Sequence, residues 1–164
     1  MKKRLFLIRH AKSDWSNPLQ SDFDRPLNER GKKNAPFMGK RLSHEGIRPD
    51  LVVSSPAVRA RTTAQAIAAE TGYALERIDY RDTLYLADVA EIESVLHTLP
   101  ETARTVFLVA HNPGLTLFAE YVSNHAIDNI PTCGIFEVEL SGAWKNIGAN
   151  TVRFVSFDYP KKHR

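Results

Sequence analysis

Two stretches of the chain are almost wholly apolar and then end abruptly in polar residues. Residues 5–8 (LFLI) lead directly into Arg9 and His10, and residues 105–110 (TVFLVA) lead directly into His111. Neither stretch alternates apolar and polar positions, as a strand with one solvated face does. Both therefore predict strands that are buried on both faces, as in a parallel sheet covered by helices.

The segments between these strands carry helical periodicity. Residues 28–44 predict a helix with Asn28 as its N-cap, and Pro36 either kinks this helix or marks where its regular part begins. A third buried strand, residues 51–54 (LVVS), precedes Ser55, which can cap the next helix. The further predicted helices cover about residues 58–72, 88–99 and 115–122.

The remaining strand predictions complete the fold. A weaker strand is predicted around residues 75–79, and residues 135–140 and 152–157 nearly alternate, which is typical of an antiparallel pair at a sheet edge. Strands that alternate with helices predict an α/β fold, a three-layer α/β/α sandwich with a mostly parallel central sheet and antiparallel edge strands. Since no linker, repeat or low-complexity segment interrupts it, we expect residues 1–164 to form a single domain.

Composition narrows the class of protein. Hydrophobic residues at 43% and charged residues at 25% are ordinary for a soluble globular protein, and a net charge of +3 does not indicate a nucleic-acid binder. Cys133 is the only cysteine, so an internal disulfide is impossible. The first apolar run stops at Arg9, too early for a signal peptide or a membrane span. We expect a cytoplasmic monomer that binds neither nucleic acid nor membrane.

The ends of the predicted strands carry the candidate chemistry. Arg9 with His10, Arg59 and His111 each follow a different strand, and the carboxyl ends of parallel strands meet at one edge of a sheet. A catalytic zinc ion needs about three ligands from His, Glu, Asp or Cys, and arginines beside it would repel the metal. A phosphoryl group instead suits bidentate guanidinium donors and imidazole N–H groups. The residue types therefore favour phosphate over metal.

Several motifs resemble one family of enzymes. LIRHAKS, SSPAVRARTTA and VAHNPG resemble the histidine phosphatase superfamily, which includes the phosphoglycerate mutases. RHAKSDW, DRPLNERG, LYLAD and HNPGL are more similar to its small phosphohistidine phosphatases of the SixA type, although Ala11 stands where most relatives have glycine. These motifs span residues 4–118 in the family's order. The resemblance implies a phosphoglycerate mutase-like fold.

The resemblance also implies roles for the strand-end residues. His10 corresponds to the nucleophile, which becomes a covalent phosphohistidine that water later hydrolyses. Arg9 and Arg59 would clamp the phosphoryl oxygens, and His111, taken as protonated, would donate to the oxygens that gain charge in the transition state. No cofactor or metal is required, because the protein itself supplies the positive charge.

The resemblance further implies two substrate-binding residues. Ser16 stands where the mutases have an asparagine that touches phosphate, and its hydroxyl can still donate a hydrogen bond. Asn112 follows the second histidine and either donates to phosphate or fixes the turn.

A departure from the larger relatives bears on the substrate. Mutase-like members have a glutamate that protonates the leaving alcohol, and Leu86 occupies the corresponding position here. Without a general acid, hydrolysis of an alkyl ester should slow by about a hundredfold or more, whereas a phosphoramidate depends less on that acid. Asp82 and Asp88 could substitute, but a solvated loop charge and a helix cap are the alternative interpretations.

We therefore expect a phosphohistidine phosphatase whose partner is a phosphorylated histidine-containing protein, such as a phosphotransfer domain. Two alternatives stay open at this point. One is a phosphomonoesterase for another phosphorylated substrate, either a small metabolite or phosphoserine and phosphothreonine. The other is a noncatalytic phosphate-binding module, whose usual sign would be loss of the nucleophile, yet His10 is intact.

Overall fold

The structure, a computed structural model, describes residues 2–164. Within this range the strands are β1 Lys2–Arg9, β2 Leu51–Ser54, β3 Asp79–Tyr80, β4 Thr105–Ala110, β5 Ile135–Ser141 and β6 Val152–Asp158. The α-helices of the same range are α1 Glu29–His44, α2 Val58–Glu70, α3 Val89–His97 and α4 Gly114–Ser123. No helix in these 163 described residues has the length and apolar character needed to cross a bilayer.

The strands form one sheet in the order β3-β2-β4-β1-β5-β6. β1 runs parallel to β4, and β2 runs parallel to both β4 and β3. β5 is antiparallel to β1, and β6 is antiparallel to β5. The predicted mostly parallel sheet with antiparallel strands on one side is confirmed, except that β5 lies inside the sheet and only β6 forms that edge.

Helices cover both faces of this sheet, as the continuous apolar strands predict. Alternate residues of β1 point to opposite sides, so Phe6 and Ile8 pack in the layer that holds α1 and α2. Leu5 and Leu7 pack in the other layer with α3 and α4. The result is the predicted three-layer α/β/α sandwich with two hydrophobic cores.

Helix α1 begins where its capping residue predicts. The side chain of Asn28 accepts a hydrogen bond of 2.8 Å from the Gly31 amide, and the helix continues through Pro36 to its end at His44. Gly31 faces the backbone of Lys12 so closely that a β-carbon there would collide with the Lys12 carbonyl oxygen. The glycine therefore lets α1 pack directly against the loop that follows β1.

Two local predictions are wrong. The strand expected around residues 75–79 is a 3-10 turn over Leu75–Arg77, and β3 covers only Asp79 and Tyr80, because only these two residues pair with β2. Ser55 does not cap α2, whose N-cap residue is Ala57 without a side-chain hydrogen bond. The Ser55 hydroxyl accepts from the amide of Ala57 itself at 3.3 Å and lies 2.7 Å from Nε2 of His111.

Candidate active site

Three parallel strands deliver the predicted site residues to one edge of the sheet. Arg9 ends β1 and pairs in register with Ala110 at the end of β4, so His10 and His111 emerge side by side. Their ring centroids lie 5.1 Å apart. Arg59 occupies the first turn of α2, directly beyond β2, and its side chain is buried. The structure therefore brings all four predicted residues together.

Three of these four residues, Arg9, His10 and Arg59, line a cleft of about 280 Å³ at the carboxyl ends of the strands. Its lining residues are Arg9, His10, Lys12, Ser13, Trp15, Asp22, Arg59 and Thr132. His111 lies behind this lining and is only 1% exposed. Trp15 is a lining residue that is 69% exposed, so the cleft reaches the protein surface at this residue. The cleft can therefore admit a group carried on a larger molecule.

The environment of His10 fixes its protonation. Nδ1 lies 2.8 Å from the Ala11 carbonyl oxygen, which can only accept a hydrogen bond, so Nδ1 carries the proton and Nε2 holds a free electron pair. Burial lowers the pKa of His10 to about 4. The charges on Arg59 and Arg9 also lower this pKa, whereas the hydrogen bond to Ala11 raises it. A neutral ring with a free Nε2 is the form that a nucleophile requires.

His111 is neutral as well, which differs from the protonated state that the resemblance implies. Burial lowers its pKa to about 3, and the adjacent His10 and Arg59 add to the shift. Nε2 lies 2.7 Å from the Ser55 hydroxyl, whereas the buried Nδ1 has no hydrogen-bond partner among residues 2–164. One ring nitrogen of His111 is thus left for a further polar contact.

The protonation of the two rings can be tested by NMR. Ordinary imidazoles change from neutral to charged around pH 6.5. Because the pKa values are about 4 for His10 and about 3 for His111, we expect both rings to keep the ¹⁵N shifts of neutral imidazole from pH 8 down to pH 5. The signals are assigned by loss in His10→Ala and His111→Ala. A midpoint near 6.5 for either ring would contradict the description of the site.

Asp22 is a residue of the site that the sequence did not reveal. Arg59 donates to it twice, from Nη1 to the backbone carbonyl at 2.7 Å and from Nη2 to Oδ2 at 3.0 Å. The Tyr85 hydroxyl donates to the same Oδ2 at 2.5 Å. Burial raises the pKa of Asp22, but these hydrogen bonds and the Arg59 charge outweigh it and hold the pKa below its ordinary value. The ionised carboxylate orients the Arg59 guanidinium over the cleft.

Arg9 is oriented by the segment that precedes β5. Its Nη1 donates to the Ile130 carbonyl at 3.0 Å, and its buried Nε has no partner within the described chain. Burial and the neighbouring Arg59 lower the pKa of Arg9, which indicates that the two guanidinium groups lie close together. Two cations beside two neutral imidazoles make a site with a strong preference for an anion.

A single hydroxyl connects the two segments that carry His10 and Arg59. Thr63 Oγ1 accepts from the Ala11 amide at 2.9 Å and donates to the Arg59 carbonyl at 2.8 Å. The turn that carries His10 and the first turn of α2 are therefore held in one hydrogen-bonded unit. The buried Ala11 is accommodated in the core between them.

Comparisons with known proteins identify the family of this chain. The sequence model of the histidine phosphatase superfamily (branch 1) matches residues 5–85. The crystal structure of a candidate phosphohistidine phosphatase SixA from Agrobacterium tumefaciens is 30% identical, with 96% of this chain and 98% of that chain covered and a TM-score of 0.81. The chain belongs to the histidine phosphatase superfamily. It is accordingly a phosphatase of the SixA-like group.

Two further structures resemble this histidine phosphatase over nearly its whole length. A candidate phosphohistidine phosphatase SixA from Nakamurella multipartitia is 26% identical, covering 98% of this chain and 97% of its own, with a TM-score of 0.82. The protein histidine phosphatase SixA complexed with tungstate has a TM-score of 0.84 over 98% of this chain and 99% of its own. Its identity of 20% adds support for the fold alone.

The two predicted substrate-binding residues of this histidine phosphatase, Ser16 and Asn112, do not line the cleft. Ser16 is exposed in the loop after β1 and is not part of the cleft lining, so its contact with phosphate stays a prediction. Asn112 uses both functions of its amide within the protein. Nδ2 donates to Asn129 and to the Ile130 carbonyl, and Oδ1 accepts twice from Thr116. This arrangement favours the alternative in which Asn112 fixes the turn.

The candidate substitutes for the missing general acid lie outside the cleft. Asp88 caps α3: its side chain accepts from the Glu91 amide at 2.9 Å, and the Glu91 side chain accepts from the Asp88 amide. Asp82 begins a 3-10 turn and does not line the cleft. Leu86, at the position of the relatives' glutamate, is 55% exposed.

Metal ligation has no equivalent support in the side-chain arrangement. Across residues 2–164, no group of three or more His, Cys, Asp or Glu side chains is placed to hold a metal ion. The clustered groups of the site are guanidinium and imidazole, which suit oxyanions.

Proposed function

We propose that this phosphatase removes the phosphoryl group from a phosphorylated histidine on another protein, through a covalent phosphohistidine on His10. The neutral ring, its free Nε2 and its place in the cleft support His10 as the nucleophile. Arg9 and Arg59 bind the phosphoryl oxygens, since guanidinium groups match the geometry of phosphate. The second histidine, His111, lies next to the nucleophile.

The reaction takes two steps. Nε2 of His10 attacks phosphorus, the bond from phosphorus to the substrate imidazole breaks, and its electron pair goes to the substrate nitrogen. Water then attacks the phosphorylated His10, and the electron pair of that P–N bond returns to Nε2. The proton that the water gives up leaves with phosphate or solvent, so the enzyme is restored.

In this scheme, His111 becomes protonated when the substrate binds. A phosphoryl group brings negative charge beside a ring whose pKa burial holds at about 3, and a nearby anion raises that pKa. The buried nitrogen without a partner can then carry the proton and donate it as a hydrogen bond to a phosphoryl oxygen. Charge of this kind stabilises the oxygens that become more negative in the transition state.

The lack of a protonated carboxyl group in the cleft bears on which substrate the site can hydrolyse. Among the lining residues that the structure describes, Asp22 is the only carboxylic acid. It is ionised and already bonded to Arg59 and Tyr85, so it has no proton to give to a leaving alcohol. A leaving imidazole can instead carry its proton on the second ring nitrogen and depart neutral. The site therefore favours a P–N bond over an alkyl P–O bond.

The rim of the cleft supports a protein as the carrier of that phosphohistidine. Four large apolar residues are exposed in the loop after β1 and in the segment before α3, and they are Trp15, Leu19, Phe23 and Leu86. Exposed apolar groups around an open, polar cleft suit contact with another protein surface.

The proposed function can be tested by comparing substrates with different leaving groups. We expect a phosphorylated phosphotransfer domain and the aryl ester p-nitrophenyl phosphate to be hydrolysed efficiently. An alkyl ester such as phosphoserine should have a kcat/KM lower by about a hundredfold or more, because it depends on a general acid. Steady-state kinetics on the three substrates measure this. Comparable kcat/KM values for the aryl and alkyl esters would instead support a phosphomonoesterase.

A further inference from the structure

A second pocket lies beside the catalytic cleft. It has a volume of about 120 Å³ and shares Lys12 and Thr132 with the cleft. Its lining residues are Lys12, Arg30, Asn34, Pro131, Thr132, Tyr159, Pro160, Lys161 and Arg164. We call it the basic pocket. A protein that places a phosphoryl group in the cleft also extends over this pocket, because the cleft and the pocket share wall residues, whereas a small phosphorylated molecule fits within the cleft.

The basic pocket concentrates positive charge that the protein does not neutralise. Four of its lining residues are cations, and no acidic residue of the described chain lines it. Within residues 2–164, none of these four cations takes part in a salt bridge or a side-chain hydrogen bond: Lys12, Arg30, Lys161 and Arg164. By contrast, Arg4, Arg41 and Arg153 each pair with a carboxylate.

The position of Arg30 is electrostatically unfavourable for the isolated protein. It lies in the first turn of α1, where the helix dipole favours negative charge and disfavours a cation. Asn34 lies four residues further on the same helical face and adds a neutral donor. Lys161 and Arg164 approach from the segment after β6, so three separate segments contribute cations to one pocket. An anionic ligand would relieve this repulsion.

We propose that the basic pocket binds carboxylate side chains of the protein substrate next to its phosphohistidine. The inference rests on the proposed function, because it assigns a second contact to the same bound protein. Exposed cations at the rim of an interface mainly speed association and select partners of opposite charge. The apolar walls from Pro131, Tyr159 and Pro160 suit the aliphatic stem of a glutamate or aspartate. The pocket thus selects phosphohistidine proteins with an acidic surface beside the phosphorylated ring.

The test compares a protein substrate with a small one. The protein substrate is a phosphorylated phosphotransfer domain with an acidic surface. We expect Arg30→Ala/Arg164→Ala to raise the KM for this substrate by about tenfold and to leave kcat unchanged. The kcat/KM for p-nitrophenyl phosphate should stay unchanged, because that substrate fills only the cleft. Added salt should weaken the protein reaction of the wild type more than that of the variant.

The matched control is Arg77→Ala/Arg104→Ala. Both residues are exposed, and they lie near the amino ends of β3 and β4, away from the cleft. This variant loses the same charge and should keep the wild-type KM. Thermal unfolding of both variants checks that the fold is kept. Equal effects of the two variants on the protein substrate, or a loss of p-nitrophenyl phosphate turnover in Arg30→Ala/Arg164→Ala, would overturn the inference alone. A wild type that hydrolyses p-nitrophenyl phosphate but no phosphohistidine protein would overturn the proposed function and the inference with it.

Discussion

His10→Ala is expected to lose hydrolysis of every phosphorylated substrate, with kcat lowered by about 10⁴-fold or more. The variant removes the nitrogen that forms the bond to phosphorus, while Arg9 and Arg59 can still bind the phosphoryl group. We therefore expect kcat to fall far more than substrate affinity. Steady-state kinetics with p-nitrophenyl phosphate measure the loss.

Labelling with ³²P distinguishes removal of the phosphorylated residue from misfolding of the variant. Wild-type protein mixed rapidly with a ³²P-labelled substrate should hold phosphate that is stable to base and lost in acid, whereas His10→Ala should hold none. His44→Ala removes an exposed histidine of α1 and should behave like the wild type. Labelling of His10→Ala equal to that of the wild type, for instance on His111, would reject His10 as the nucleophile.

Arg59→Ala is expected to lower kcat/KM by about 10³-fold, because the buried guanidinium that we propose as a phosphoryl contact would stabilise both binding and the transition state. Arg59→Lys keeps the charge but cannot form the same paired hydrogen bonds, so we expect it to recover only a small part of the activity. Inhibition by tungstate or inorganic phosphate should weaken in both variants. Kinetics with p-nitrophenyl phosphate and these oxyanions provide the measurement.

The stability of the fold should change little in Arg59→Ala. Its partner Asp22 has a side chain that is 42% exposed, so water can solvate the carboxylate that loses its cation. Arg61→Ala is the control, because Arg61 is exposed two residues further along α2. It should keep wild-type kinetics. If Arg59→Ala kept more than a tenth of the wild-type kcat/KM, the phosphate contact assigned to Arg59 would be wrong.

The sequence was sufficient to predict the centre of the fold because its strands are buried on both faces. Residues 5–8 and 106–110 contain no polar side chain, and the structure pairs the strands that hold them in parallel at the middle of the sheet. The placement of His10 and His111 follows directly from that pairing. β3 was harder to locate, since two residues at a sheet edge leave almost no periodicity to detect.

The residues that tune the site could not be found in the same way. Asp22 lies in a polar loop that also contains Asp14 and Asp24, and no pattern there singles out the carboxylate that folds back onto Arg59. Ser55 has the position of a helix cap, and only the packing of β2 beside β4 shows that its hydroxyl meets His111. Such contacts depend on how loops close over the sheet, which local preferences do not encode.

The pairing of β1 with β4 joins residues about one hundred positions apart in the chain. Because the ribosome makes the chain from its amino end, His10 is synthesised about one hundred residues before His111 and the strand that precedes it. A growing polypeptide therefore cannot bring His10, Arg9, Arg59 and His111 together until it has been translated past His111 and β4 has inserted between its two parallel neighbours.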